Sequence, residues 1–132
     1  MAAMASAAVE PNPSWARPCA PVVAGGAAAG RALLADCPEV TALFCHNDLV
    51  AVGALQACKE LGRRVPEDIA VVGYDDIPLS ALVTPALTTC RVPRSDLGAE
   101  AIRLLLDPAQ RNSDSYAEVL LQPDLIVRES AP

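Results

Sequence analysis

The sequence predicts an α/β fold built on a parallel sheet, and three observations carry the prediction. Two short apolar runs, TALFC (Thr41–Cys45) and IAVV (Ile69–Val72), flank a stretch with helical spacing, LVAVGALQACKEL. Each run is followed by a polar cluster, His46-Asn47-Asp48 in one case and Gly73-Tyr74-Asp75-Asp76 in the other. A third run, LTTCR (Leu87–Arg91), comes next and leads into another helical stretch. Strand, helix, strand at these spacings is a βαβ unit, which requires parallel pairing and a right-handed crossover.

The elements follow in chain order. Residues 1–24 are rich in Ala and Pro without periodicity and read as a poorly ordered arm. No Lys or Arg precedes Arg17, so a secretory signal with a basic leading region is not expected. GGAAAGRALLADCP reads as a helix that stops before Pro38, because a residue preceding proline is pushed out of the helical region. TALFC is expected as a strand buried on both faces. In the next helix Asp48 is the expected N-cap and Gly62 the expected residue just beyond the C-cap. IAVV and LTTCR continue the sheet, and a helix is expected over residues 95–106. After a polar loop, AEVLLQ and LIVRE are expected as two short strands joined around Pro123-Asp124.

Composition narrows the function classes. The chain has 132 residues, 52% of them hydrophobic, with no apolar run long enough to span a membrane. Ten Lys+Arg against sixteen Asp+Glu give a net charge of −6. Nucleic-acid binding needs a basic footprint to neutralise phosphates, so direct binding by this chain is not expected. The five cysteines form no CxxC pair, and His46 is the one histidine. No metal site and no cofactor are therefore expected, and the thiols read as reduced and mostly buried in a cytoplasmic protein.

In an open parallel sheet, ligands bind in the crevice at the carboxyl ends of the strands. Two polar clusters occupy that position, His46-Asn47-Asp48 and Asp75-Asp76, with Asn47 and Asp75 as the candidate ligand residues and His46 as a weaker one. An amide offers both donor and acceptor groups, and a carboxylate accepts from adjacent hydroxyls. The set suits a neutral polyol or sugar better than a phosphate. GGAAAG precedes a strand instead of following one, so it lacks the context of a phosphate loop. No nucleophile elbow is present, and a non-enzyme is expected.

These residues carry a resemblance. Asn47-Asp48, the Ala-x-Gly-Ala core at Ala51–Ala54, the run Val65–Asp76 (VPEDIAVVGYDD), TPALTT at Thr84–Thr89, Leu97-Gly98 and the closing Leu-x-x-Arg-x-Ser at Leu125–Ser130 occur in order. Together they resemble the C-terminal part of a LacI/GalR-family transcriptional regulator, over roughly Gly25 to Ser130. The resemblance implies the C-terminal lobe of a periplasmic-binding-protein-like fold of type I. Two α/β lobes of that fold clamp a small effector.

Family effector contacts carry over to Asn47 and Asp75, whereas His46 departs from the small residue usual there. The resemblance also implies a homodimer through the helix after Asp48 and the loop Leu79–Val83, with Val52, Leu82 and Val83 at the interface. The helix over residues 95–106 is implied to cross between lobes and pack on the first one. Neither a helix-turn-helix segment nor a first lobe is legible before Gly25. The expectation is thus the sugar-sensing or small-metabolite-sensing portion of a regulator. A fragment of a sugar-binding transport protein, an α/β enzyme using His46 with Asp75, and a non-functional gene remnant are the alternatives.

Overall fold

The computed structural model describes residues 10, 12–107 and 118–132. Four strands form one sheet in the order β1 (Ala42–Phe44), β2 (Ala70–Asp75), β3 (Thr88–Arg91) and β4 (Asp124–Ile126). β1 pairs with β2 and β2 with β3 in parallel, as the βαβ reading requires. β4 runs antiparallel to β3, with Cys90 opposite Leu125. Only one of the two C-terminal strands expected forms among the described residues. Residues 118–122 have no regular structure, and Ala117 lies outside the described set.

Helix α1 (Val23–Asp36) precedes β1, α2 (Asp48–Glu60) links β1 to β2, and α3 (Arg94–Leu106) follows β3. α1 ends two residues before Pro38, as expected from the restriction proline imposes. α2 stops just before Gly62, whose φ of 69° accommodates the left-handed turn. There Arg63 N–H donates to the Cys58 carbonyl and Gly62 N–H to that of Lys59, the paired bonds of a Schellman stop.

α1 and α2 cross closely through small residues. A Cβ at Gly26 would overlap the Val50 carbonyl, and one at Gly53 would overlap the Val23 carbonyl and crowd the Ala27 nitrogen. This contact explains why the chain spends so many Gly and Ala residues on its first two helices. Leu33, Leu34, Leu43, Val50, Ala54, Leu55, Ile69, Val71 and Leu87 fill the space between the helix pair and the sheet.

β1 corrects one expectation. It is not buried on both faces: Leu43 is in the core, while Ala42 and Phe44 on either side are exposed, Phe44 at 72%. β1 lies at the sheet edge, and α1 and α2 cover one face only. α3 does not cover the other face, since it carries no buried residue and Leu97, Ile102, Leu105 and Leu106 are all exposed.

The segment before Gly25 is tied to the body from Asn12 onward. A single 3-10 turn, Pro13–Trp15, brings the half-buried Trp15 against the core, and Arg17 forms an ion pair with Asp36 at 2.9 Å.

Candidate functional site

The carboxyl edge of the sheet is organised around Asp48, which is wholly buried. Its Oδ1 accepts from the Thr89 hydroxyl at 2.5 Å, and its Oδ2 accepts from the Ser80 hydroxyl at 2.6 Å and from Ile77 N–H at 2.9 Å. Three donors from β3 and from the loop after β2 thus converge on one carboxylate. Gly73 makes room for it, because a Cβ there would overlap Asp48 Oδ1.

This geometry overturns the expected capping role of Asp48. The N-cap of α2 is Asn47, with extended backbone and an Oδ1 that accepts from Val50 N–H at 2.9 Å. Asp48 is the first helical residue, and its side chain turns away from the helix end because three buried hydroxyl and amide donors need an acceptor. Capping strength hardly separates Asn from Asp. The long-range partners decide which of the two neighbours takes the role.

The candidate ligand residues sit as follows. Phe44 and Val72 are a register pair of β1 and β2. Asn47 and Asp75 each lie three residues beyond that pair, on the same edge of two strands whose typical spacing is about 4.8 Å. Asn47 is half-buried, with its Nδ2 at 3.4 Å from the Pro21 carbonyl. His46 is exposed. Asp75 is half-buried and has a φ of 118°, and its carbonyl accepts from Arg94 Nη1 at 2.9 Å.

Asp76 has a different task from its neighbour. Its carboxylate receives Arg128 Nη2 at 2.6 Å and Arg91 Nε at 2.7 Å. Burial alone would raise the carboxyl's pKa, but the two guanidinium hydrogen bonds and charges outweigh it and hold the group below the usual carboxylate range.

Sequence reasoning missed the residues by which the tail braces the sheet. Arg128 also donates to the Leu87 carbonyl at 2.8 Å. The wholly buried Ser130 donates to the Val71 carbonyl at 2.6 Å and accepts from Thr88 N–H at 2.9 Å, which bridges β2 and β3. The closing Leu-x-x-Arg-x-Ser run was the available signal. Its chemistry became legible only once the tail was placed across the sheet.

Two open depressions mark the surface, one at the carboxyl edge and one between α2 and the segments that lead into β2 and β3. One of about 270 Å³ is lined by Asp76, Arg91, Val92, Pro93, Arg94, Ser95 and Asp96, and does not include Asn47 or Asp75. The other, about 550 Å³, brings Val52 and Val83 together with Leu55, Lys59 and Pro85. Leu82, beside Val83, is 77% exposed. Among the described residues, no group of three or more His, Cys, Asp or Glu is placed to hold a metal ion. No helix among them is long and apolar enough to cross a membrane.

A two-helix cover on a mostly parallel sheet, with polar residues gathered at the strand ends, defines one α/β lobe. Comparison with known proteins agrees. Residues 2–131 match the family model described as a periplasmic binding protein-like domain. The ribose operon repressor of Haemophilus influenzae is 35% identical over 128 residues, covering 97% of this chain and 39% of that protein. The structure of the transcriptional regulator CelR in complex with cellobiose superposes with a TM-score of 0.90 at 35% identity, covering 98% of this chain and 40% of that one. A LacI family transcriptional regulator from Arthrobacter sp. FB24, in complex with lactose, gives a TM-score of 0.76 at 35% identity, covering 86% and 44%. The chain belongs to the periplasmic-binding-protein-like family, in the form found in LacI-family transcriptional regulators. It spans about two fifths of the length of the relatives it matches.

Proposed function

We propose that this chain is the effector-sensing portion of a LacI-type transcriptional regulator, and that its effector is a sugar or a similar polyhydroxylated metabolite. The observation supporting this reading is the common position of Asn47 and Asp75, three residues past the Phe44–Val72 register pair on the carboxyl edge. Asp75 supplies an acceptor for a ligand hydroxyl. Asn47 Nδ2 supplies a donor if its long contact to Pro21 is exchanged for one to the ligand. His46 stands beside them at the exposed rim. The chain carries out no chemistry on the ligand. Binding acts by favouring one arrangement of the regulator over another, through differential affinity for the two. The setting is the cytoplasm, where such a regulator meets DNA through a segment other than this acidic one.

Thermal unfolding in the presence of cellobiose, lactose and ribose tests the reading. At ten times its Kd a ligand adds about 1.4 kcal/mol to stability. At least one sugar should raise the melting temperature of the native chain and leave that of Asp75→Ala unmoved. No shift with any of the three, or equal shifts in the variant, would contradict it.

The groove holding Val52 and Val83 supports a homodimer, with the exposed Leu82 next to Val83 in the chain. Apolar side chains at a surface groove are what a self-complementary twofold contact requires. Val52→Asp should convert a dimer to a monomer in light scattering. A native chain that stays monomeric at high concentration would remove the claim.

A further inference from the structure

Asp75 and Asp76 both have positive φ, 118° and 53°, a region that side chains other than glycine seldom occupy. A chain leaving a parallel strand relaxes to negative φ unless something holds it. Here each residue has an anchor. Arg94 donates to the Asp75 carbonyl at 2.9 Å. The Asp76 carboxylate is gripped from two directions, by Arg91 of β3 at 2.7 Å and by Arg128 of the tail at 2.6 Å. Arg128 is itself fixed, with Nη1 on the Leu87 carbonyl and its backbone N–H on the Thr88 hydroxyl, both at 2.8 Å. The side chain of Asp76 is only 9% exposed. The residue following the candidate ligand carboxylate is therefore tied both to the neighbouring strand and to a segment 52 residues downstream.

We propose that Asp76 is a positioning residue: its two-arginine clamp holds Asp75 in the left-handed backbone from which the Asp75 carboxyl meets the effector. The proposal rests on the reading of Asp75 as an effector contact. The clamp's action on the backbone is nevertheless measurable with no effector present. Its consequence is that a tail residue, Arg128, governs a ligand contact it does not itself make.

The test is the three-bond amide–Hα coupling of Asp75 in the isotope-labelled chain, which is small at this φ and large for extended backbone. Asp76→Ala should raise the Asp75 coupling to the extended value while the amide shifts of α1 and α2 stay in place. Arg91→Met, which removes the more exposed half of the clamp, should move it in the same direction. An unchanged coupling in folded Asp76→Ala would overturn the proposal. If that variant fails to fold, the Arg91→Met coupling decides in the same way. With cellobiose as the probe, Asp76→Ala should lose at least tenfold in affinity, and equal affinity would also overturn the proposal. A native chain that binds no cellobiose counts against the effector reading for that sugar, and the coupling still decides the clamp.

Discussion

Asp48 Oδ2 accepts from the Ser80 hydroxyl at 2.6 Å across 32 residues of chain, with both side chains wholly buried. The bond fastens the first turn of α2 to the 3-10 turn Pro78–Ala81, whose next residues are Leu82 and Val83. The same carboxylate holds Thr89 in β3. One side chain therefore links the strand-end edge, the central sheet and the loop beside the Val52 groove.

Removing that acceptor should be costly. Asp48→Ala leaves two hydroxyls and one amide without their buried partner, and each unsatisfied group costs about 1–3 kcal/mol. A loss of about 3 kcal/mol or more is expected, out of a typical total of about 5–15 kcal/mol. Asp48→Asn should also destabilise, because its NH2 group would face donors. Urea denaturation checks both. A loss under about 1 kcal/mol for Asp48→Ala would show that the network contributes little.

The helix crossing gives a second prediction. Gly53→Ala places a methyl group against the Val23 carbonyl and the Ala27 nitrogen, both backbone atoms that cannot swing aside. Overpacking of this kind costs about 1–3 kcal/mol, although alanine is the better helix former. A variant more stable than the native chain would mean that α1 and α2 do not cross as described.

Much of the fold was legible in the sequence because its signals are local. Alternation of apolar runs with helical spacing marked the βαβ core, and Gly62 marked the end of α2 through the positive φ that glycine adopts most readily. What failed to show was set at long range. Asn47 and Asp48 are nearly equal as caps, and only Ser80, Ile77 and Thr89 decide between them. The exposure of Phe44 follows from which sheet face the helices cover, which the run TALFC cannot encode. Arg128 and Ser130 read as a motif, but their partners on β2 and β3 become visible only when the tail is laid across the sheet. At the candidate site, the crevice rule selected the clusters His46-Asn47-Asp48 and Asp75-Asp76 from topology, and the family resemblance singled out Asn47 and Asp75. The rule could not foresee that the side-chain Oδ1 of Asn47 is engaged in capping.

Acid should weaken the fold partly through Asp76. Burial opposes its ionisation, but Arg128 and Arg91 hold the folded carboxyl below its unfolded value of about 3.9. A group depressed in this direction contributes stability that is complete above the unfolded pKa and is lost as pH falls through the folded one. Asp76→Asn should therefore be less stable at neutral pH and show a shallower decline on acidification below about pH 4. Parallel pH profiles for the two proteins would contradict this assignment.

Thiol reactivity offers an independent check on burial. Cys19 is exposed, whereas Cys45 and Cys58 are buried. Desolvation, followed by the neighbouring Cys19, Cys58 and Asp48, pushes the Cys45 thiol up to about 12. The thiolate is the reactive form, so Cys45 should resist iodoacetamide at neutral pH until the chain unfolds. Cys19 should be modified first. Rapid labelling of Cys45 in the folded protein would place β1 and α2 further apart than described.

Amide chemical-shift mapping during titration with cellobiose, lactose and ribose tests the effector-edge reading most directly. At least one sugar should perturb Asn47 and Asp75 together, with an affinity on the order of millimolar, since a single lobe surrounds less of a ligand than a closed pocket does. The perturbation should vanish in Asp75→Ala. Shifts confined to residues away from the strand ends, or none with any of the three sugars, would contradict the account.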